Sequence, residues 1–163
     1  MKAISLWQPW ASLIMTRGKT YETRSWATNY RGPLVICAAK GGLPKAELIH
    51  QLCCWSFQGG LAPLVGKPLD LSAKTWSGVE IGNLPFGMAL GVVDLVDCIK
   101  TDDITQAQIG TDRPFGDFSP GRYAWRLENV RPFENPLPVK GKQGFFNVEI
   151  NEKLNNYHRG VKS

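Results

Sequence analysis

The sequence is poor in the side chains that most catalytic and metal centres use. It has 2 histidines and 4 cysteines in 163 residues. The cysteines, Cys37, Cys53, Cys54 and Cys98, form no Cys-x-x-Cys pair and no zinc-type spacing. A bridge between the adjacent Cys53 and Cys54 would be strained, which favours reduced thiols packed as small hydrophobes. His50 with Cys53 and Cys54 falls on one side of a helix-like segment, but no fourth ligand or second pair accompanies them. No metal and no other cofactor is expected. With no Ser/His/Asp set either, the catalytic repertoire is narrow. Long apolar runs are also missing, none reaching the roughly 18 residues of a membrane span. The apolar part of Met1–Pro9 is too short for a signal peptide. The expectation is a cytoplasmic protein that does not enter a membrane. There is no internal repeat. The Gly60-to-Lys67 segment is not a phosphate-binding loop, because its spacing is off, Pro63 interrupts it and Pro68 stands where a hydroxyl residue is needed.

The length and the 43% hydrophobic content suit one domain, long enough to bury roughly 70% of its unfolded surface. The net charge of +5 and the pI of about 9.1 give a moderate basic bias that favours polyanionic partners without specifying one. The cations are not evenly spread. Arg17, Lys19, Arg24 and Arg31 gather in one stretch, and Lys140 and Lys142 flank Gly141.

Periodicity places short elements along the chain. Lys2–Trp7 reads as a strand. Trp10, Leu13 and Ile14 have the spacing of a buried helix face, with Pro9 suited to the first helical position and Gly18 to the left-handed residue that ends the helix. A motif strand follows to Trp26, and Leu34–Ala39 is an apolar run typical of a strand buried on both faces. Pro44–Phe57 reads as a helix, Gln58–Pro68 as a loop, and Asp70–Gly87 has no clear pattern. Met88–Ile99 is the longest strand candidate, with Met88, Leu90, Val92 and Asp94 on one face and Ala89, Val93 and Leu95 on the other. Asp94 on so apolar a face is either paired with a basic residue or opens onto a cleft. Asp102–Thr105 is a helix start, Arg122–Arg131 a strand with Tyr123, Trp125 and Leu127 facing a core, and Gln143–Ile150 a last strand. Trp10, Leu13, Leu34, Ile36, Leu90, Val92, Trp125, Phe146 and Val148 are expected around one core. The whole describes an α+β fold, a small curled sheet or barrel with flanking helices.

The chemistry concentrates in Gly18-Lys19-Thr20-Tyr21-Glu22-Thr23-Arg24. On a strand Glu22, Arg24 and Trp26 share a face, and the flexible stem of Lys19 can swing onto it. Two cations, a carboxylate and an aromatic plane suit a phosphate and a base; the same set can also be a structural brace. With Ser5-Leu6-Trp7-Gln8-Pro9-Trp10-Ala11 before it and Tyr30-Arg31-Gly32-Pro33 after it, the run resembles the ASCH domain family, whose signature is Gly-x-Lys-x-x-Glu-x-Arg after a Pro-Trp-Ala helix. The resemblance continues at Leu90–Cys98 and Pro138–Gly141. It implies a PUA-like β-barrel over residues 1–150, with a variable insertion at about 41–86 and a basic polar tail at 151–163. It also implies a site built on Lys19, Glu22 and Arg24, with Gln8, Trp26 and Lys140 near its rim.

Nucleic acid, RNA before DNA, or a nucleotide is the implied ligand. Arg24 would supply a planar fork for phosphate or a base edge, Lys19 a point charge, Glu22 an acceptor for an exocyclic amine or 2′-hydroxyl, and Trp26 a stacking plane. The implied alternative is a small hydrolase acting on acetylated cytidine or on RNA, with Lys19 and Glu22 as its catalytic residues. The amidohydrolase pattern has threonine three residues after the lysine, where this chain has Glu22.

Overall fold

The computed structural model describes residues 1–43, 47 and 84–150. Along the chain run β1 (Lys2–Leu6), α1 (Trp10–Met15), β2 (Tyr21–Arg24), β3 (Gly32–Ala38), β4 (Met88–Lys100), α2 (Gln106–Ile109), a 3-10 turn (Gly110–Phe115), β5 (Tyr123–Pro138) and β6 (Phe146–Asn147). They form one mixed sheet in the order β2-β5-β4-β3-β1-β6, with β1 and β3 parallel and the other neighbours antiparallel. The sheet is open, which corrects the expected closed barrel. Its two edges are the four-residue β2 and the two-residue β6, which lie at opposite ends of the order. Closure would need those edges to pair, and strands this short blunt an edge rather than extend it. The strand expected over Gln143–Ile150 shrinks to Phe146–Asn147, although Phe146 and Val148 still point inward and are buried. The expected helix at Pro44–Phe57, the His50/Cys53/Cys54 group, the Gly60–Lys67 segment and the 151–163 tail fall mostly or wholly outside the described residues.

The apolar side chains line both sides of the sheet, so the single expected core is several. One layer holds Ile4, Leu6, Leu34, Ile36, Leu90, Val93, Leu95 and Trp125 beneath α1, which contributes Ala11, Ile14 and Met15. The opposite layer holds Ala3, Val35, Cys37, Ala89, Val92, Phe146 and Val148. Burial pushes the Cys37 thiol up to about 12, so it is not a nucleophile near neutral pH. A third cluster of Tyr21, Ile104, Ile109 and Ala124 seals the β2 end. Trp10 is only partly buried, unlike the other expected core residues.

The strict alternation expected in β4 breaks. Leu90 shares a layer with Val93 and Leu95, while Val92 joins Ala89. The cause is a set of register shifts against β5, at Ala89/Gly91, Val92/Asp94 and Leu95/Asp97, each of which can turn the following side chains to the other face. Gly91 sits at the first shift, where a Cβ would lie 2.6 Å from both Arg131 O and Met15 Sδ. Asp94, for which the sequence allows either a basic partner or a cleft, is held by Arg131 through two hydrogen bonds of 3.1 and 2.5 Å and by Asn129 Nδ2 at 2.9 Å. It is a structural pair, not a cleft residue.

Candidate functional site

α1 delivers the motif. Pro9 caps the helix from outside rather than opening it, and the left-handed residue at its end is Arg17 (φ 62°), not Gly18. Registered on Lys19, Glu22 and Arg24, the leading glycine of Gly-x-Lys-x-x-Glu-x-Arg likewise falls at Arg17, so this chain places an arginine where the signature has its glycine. The amides of Gly18 and Lys19 both donate to Leu13 O, at 2.9 and 3.1 Å, and turn the chain into β2.

From the other side of the pocket, α2 and the 3-10 turn bring a wall that is distant in sequence. Thr105 and Gln108 form a capping box at the start of α2. The turn then presents buried Asp112, whose carboxylate accepts from Thr20 N at 2.7 Å, Tyr21 N at 2.5 Å and Thr20 Oγ1 at 3.2 Å. Phe115 O accepts from Lys19 Nζ at 2.6 Å, and Thr23 Oγ1 accepts from Asp117 N at 3.0 Å. Lys19 is therefore 1% exposed, with its ammonium 3.4 Å from Glu22 Oε2. Glu22 Oε1 lies 3.2 Å from Arg24 Nε, an ion-pair contact without hydrogen-bond alignment. Arg24 Nη2 reaches Ser5 O at 3.4 Å, and Nη1 has no acceptor among the described residues. The carboxylate thus bridges a buried cation and a partly exposed one, leaving one guanidinium edge available.

These groups line a cavity of about 580 Å³ between β2 and the 3-10 turn, together with Trp7, Trp10, Phe115 and Arg122. That lies within the roughly 300–1,000 Å³ of small-molecule sites. Arg122 faces in from the start of β5, paired with Asp117 at 3.2 Å. Hydrogen bonds from the Ser119 hydroxyl and backbone hold the Asp117 carboxyl below the ordinary aspartate range against the opposing effect of burial, with a lesser contribution from the Arg122 charge. A second, wider groove of about 1190 Å³ adjoins the first and shares Ser5, Trp7 and Arg24 with it. It continues over Trp26, Lys40, Lys140 and Lys142.

The residues expected at the site therefore separate. Lys19, Glu22 and Arg24 come together in the pocket; Trp26 and Lys140 line the groove and meet the motif through Arg24. Trp26 is held edge-on between Trp125 and Phe145, with ring centroids at 4.6 and 5.3 Å. Gln8 lines neither space: it is fully buried, donating from Nε2 to Pro85 O at 2.7 Å and accepting from Ser12 N at 3.2 Å. Arg31 turns away to Asp97. The sequence reading missed Trp7, Arg122 and the 112–117 wall. Trp7 has a local signal, a tryptophan at the end of a strand just before Gln8-Pro9; Arg122 and the wall have none.

A family model for the ASCH domain matches residues 4–137. The chain belongs to the ASCH domain family. Among curated proteins, this ASCH domain is similar to Activating signal cointegrator 1 of Mus musculus and of Homo sapiens, each 29% identical over 160 residues. The match takes in 98% of this chain and 23% of either relative, so the chain spans about a quarter of their length. Among solved structures, it is similar to the crystal structure of ASCH from Zymomonas mobilis, with 13% identity, 97% of this chain and 94% of that one covered, and a TM-score of 0.48. A mutant of the Zymomonas protein gives 13% identity, coverage of 97% and 96%, and a TM-score of 0.47. No helix among the described residues is long and apolar enough to cross a membrane.

Proposed function

We propose that this ASCH domain binds nucleic acid, RNA in the first instance, with a nucleotide seated in the pocket of Lys19, Glu22 and Arg24. The observation that carries the reading is the open guanidinium edge of Arg24 in a cavity that also holds Arg122, Trp7 and Trp10. Arg24 offers paired donors to a phosphate or a base edge, the indoles offer apolar faces, and Glu22 is a fixed acceptor for an amine or hydroxyl. Lys19 acts behind the ligand. Bonded to Phe115 O and set against Glu22, it orients the carboxylate rather than meeting the phosphate itself.

The same placement counts against Lys19 as the base of the hydrolase alternative, because a general base must reach the proton it removes, and Lys19 is 1% exposed and bonded to protein acceptors; Glu22 is left as that alternative's accessible group. The test is a fluorescence-anisotropy titration with a labelled eight-nucleotide RNA. Arg24→Ala should weaken binding by about 10- to 100-fold, the scale of a lost charge-assisted hydrogen bond, and Glu22→Gln by less. Equal affinity of Arg24→Ala and the parent chain would remove the proposal. Cleavage of that RNA, or deacetylation of acetylcytidine, by the parent chain but not by Glu22→Gln would replace it with the hydrolase.

A further inference from the structure

Among the described residues only two large hydrophobic side chains are exposed, Met1 and Trp7, and Trp7 is the more exposed at 52%. Its backbone is fixed: Trp7 O accepts from Ala11 N at 3.2 Å, and the preceding Leu6 O accepts from Ala39 N at 2.8 Å. A half-exposed indole on a backbone fixed in this way has no packing reason to be there. Its position supplies a functional one, because Trp7 lines both the pocket and the groove. Beyond it the groove carries Lys40, Lys140 and Lys142, all exposed and none ion-paired with a described residue, and no carboxylate is among its described lining residues. The pocket is different, with Glu22 and Asp117 among its lining residues.

We infer that the groove is the path of the strand that continues from the bound nucleotide, with Trp7 as the stacking platform where the strand turns from pocket to groove. This rests on the reading above that the pocket takes a nucleotide. It adds that the ligand is a single-stranded oligonucleotide, held by the base stacked on Trp7 and by backbone phosphates over the three lysines. A paired base cannot enter the walled pocket while it remains stacked in a duplex, so single strands are preferred. Aromatic stacking with a lysine-lined track is the physics of sequence-tolerant single-strand binding.

The experiment uses fluorescein-labelled octanucleotides of one mixed sequence, as single-stranded RNA, single-stranded DNA and duplex DNA, titrated at several salt concentrations. Trp7→Ala should weaken single-strand binding by about 5- to 150-fold, and Trp7→Phe, which keeps a ring, should restore most of it. Removing Lys140 and Lys142 together (Lys140→Ala with Lys142→Ala) should reduce the salt slope by about 1.4, some 0.7 per lost phosphate contact. The RNA and DNA arms show which backbone the groove accepts; equal binding assigns the contacts to base and phosphate rather than to the 2′-hydroxyl. Single-strand binding that is sensitive to Arg24→Ala but unchanged by the Trp7 and lysine substitutions would overturn the inference and leave the pocket reading intact. Equal affinity for the duplex would also overturn it. Failure of all three oligonucleotides to bind would remove both.

Discussion

The pocket and the groove are neighbours built on opposite principles. In the pocket Lys19, Glu22, Arg24 and Asp117 are each tied to another protein group, Asp112 anchors the motif from behind, and the ties to the 3-10 turn side span about ninety residues of sequence. In the groove the lysines stand free of any described carboxylate on residues flanking Gly41 and Gly141. A preorganised site loses little entropy on binding but depends on the fold for its shape; free lysines leave the fold unaffected and contribute chiefly long-range attraction. Geometry belongs to the first region and charge to the second.

The sharpest way to break this comparison is to remove one cation from each region. Lys19→Ala removes the Lys19 Nζ–Phe115 O bond and the buried partner of Glu22, and should cost about 3 kcal/mol by urea denaturation, the scale of a broken buried pair. Lys140→Ala should stay within about 0.5 kcal/mol, as exposed substitutions do. Similar losses for the two would show that the regions do not differ. Gly141→Ala comes next, because it tests the seam between them. A Cβ there would fall 2.2 Å from Ser5 Oγ and 3.2 Å from Ser5 Cβ, so the Ser5 hydroxyl must rotate away and the two segments must part by a few tenths of an ångström. The expected cost is about 1–2 kcal/mol, the scale of overpacking, with weaker oligonucleotide binding than Lys140→Ala alone gives.

Arg17→Gly has the opposite sign. A non-glycine residue at φ 62° carries about 1 kcal/mol of strain. Glycine relieves it, against a modest unfolded-state entropy and the exposed Arg17–Val130 hydrogen bond. A thermal-melt gain equivalent to about 0.5 kcal/mol is expected, whereas Arg17→Val should lose stability. The smallest effect is on Asp117. Its carboxyl is lowered in the folded chain, so its contribution is fully present above the ordinary aspartate value and is lost as pH falls through the lowered one. Stability should not change through Asp117 between about pH 5 and 8, and carboxyl titration by NMR should place its midpoint below those of unpaired aspartates.

How much of this the sequence reveals depends on how far apart the partners lie. The motif and α1 are legible because Trp10 to Arg24 is one continuous stretch with helix and strand periods. β3 and most of β5 are legible from apolar runs and from the alternation of Tyr123, Trp125 and Leu127. The face reversal in β4 is not, because Gly91 in an apolar run gives no sign of the register shift it permits; only the approach of Arg131 and Met15 does. The barrel expectation failed for a related reason, since strand count says nothing about whether two short edges meet. Gln8 shows the converse limit: position in the motif suggested the rim, but its amide is used up on Pro85 O and Ser12 N. Trp7 was present as a letter, yet the exposure that gives it meaning arises only when β1, α1 and β3 fix the backbone around it.

The attachment of Thr20 and Tyr21 to Asp112 has a kinetic consequence. Amide protons in a sheet ordinarily exchange with solvent when neighbouring strands part, but these two are held by a side chain from the 3-10 turn. Their exchange rates therefore report how often the far wall of the pocket detaches from the motif, independently of the sheet's own opening. If ligand entry requires that wall to move, these two amides are its clock, and a bound nucleotide should slow them more than it slows the amides at the centre of β3 or β4.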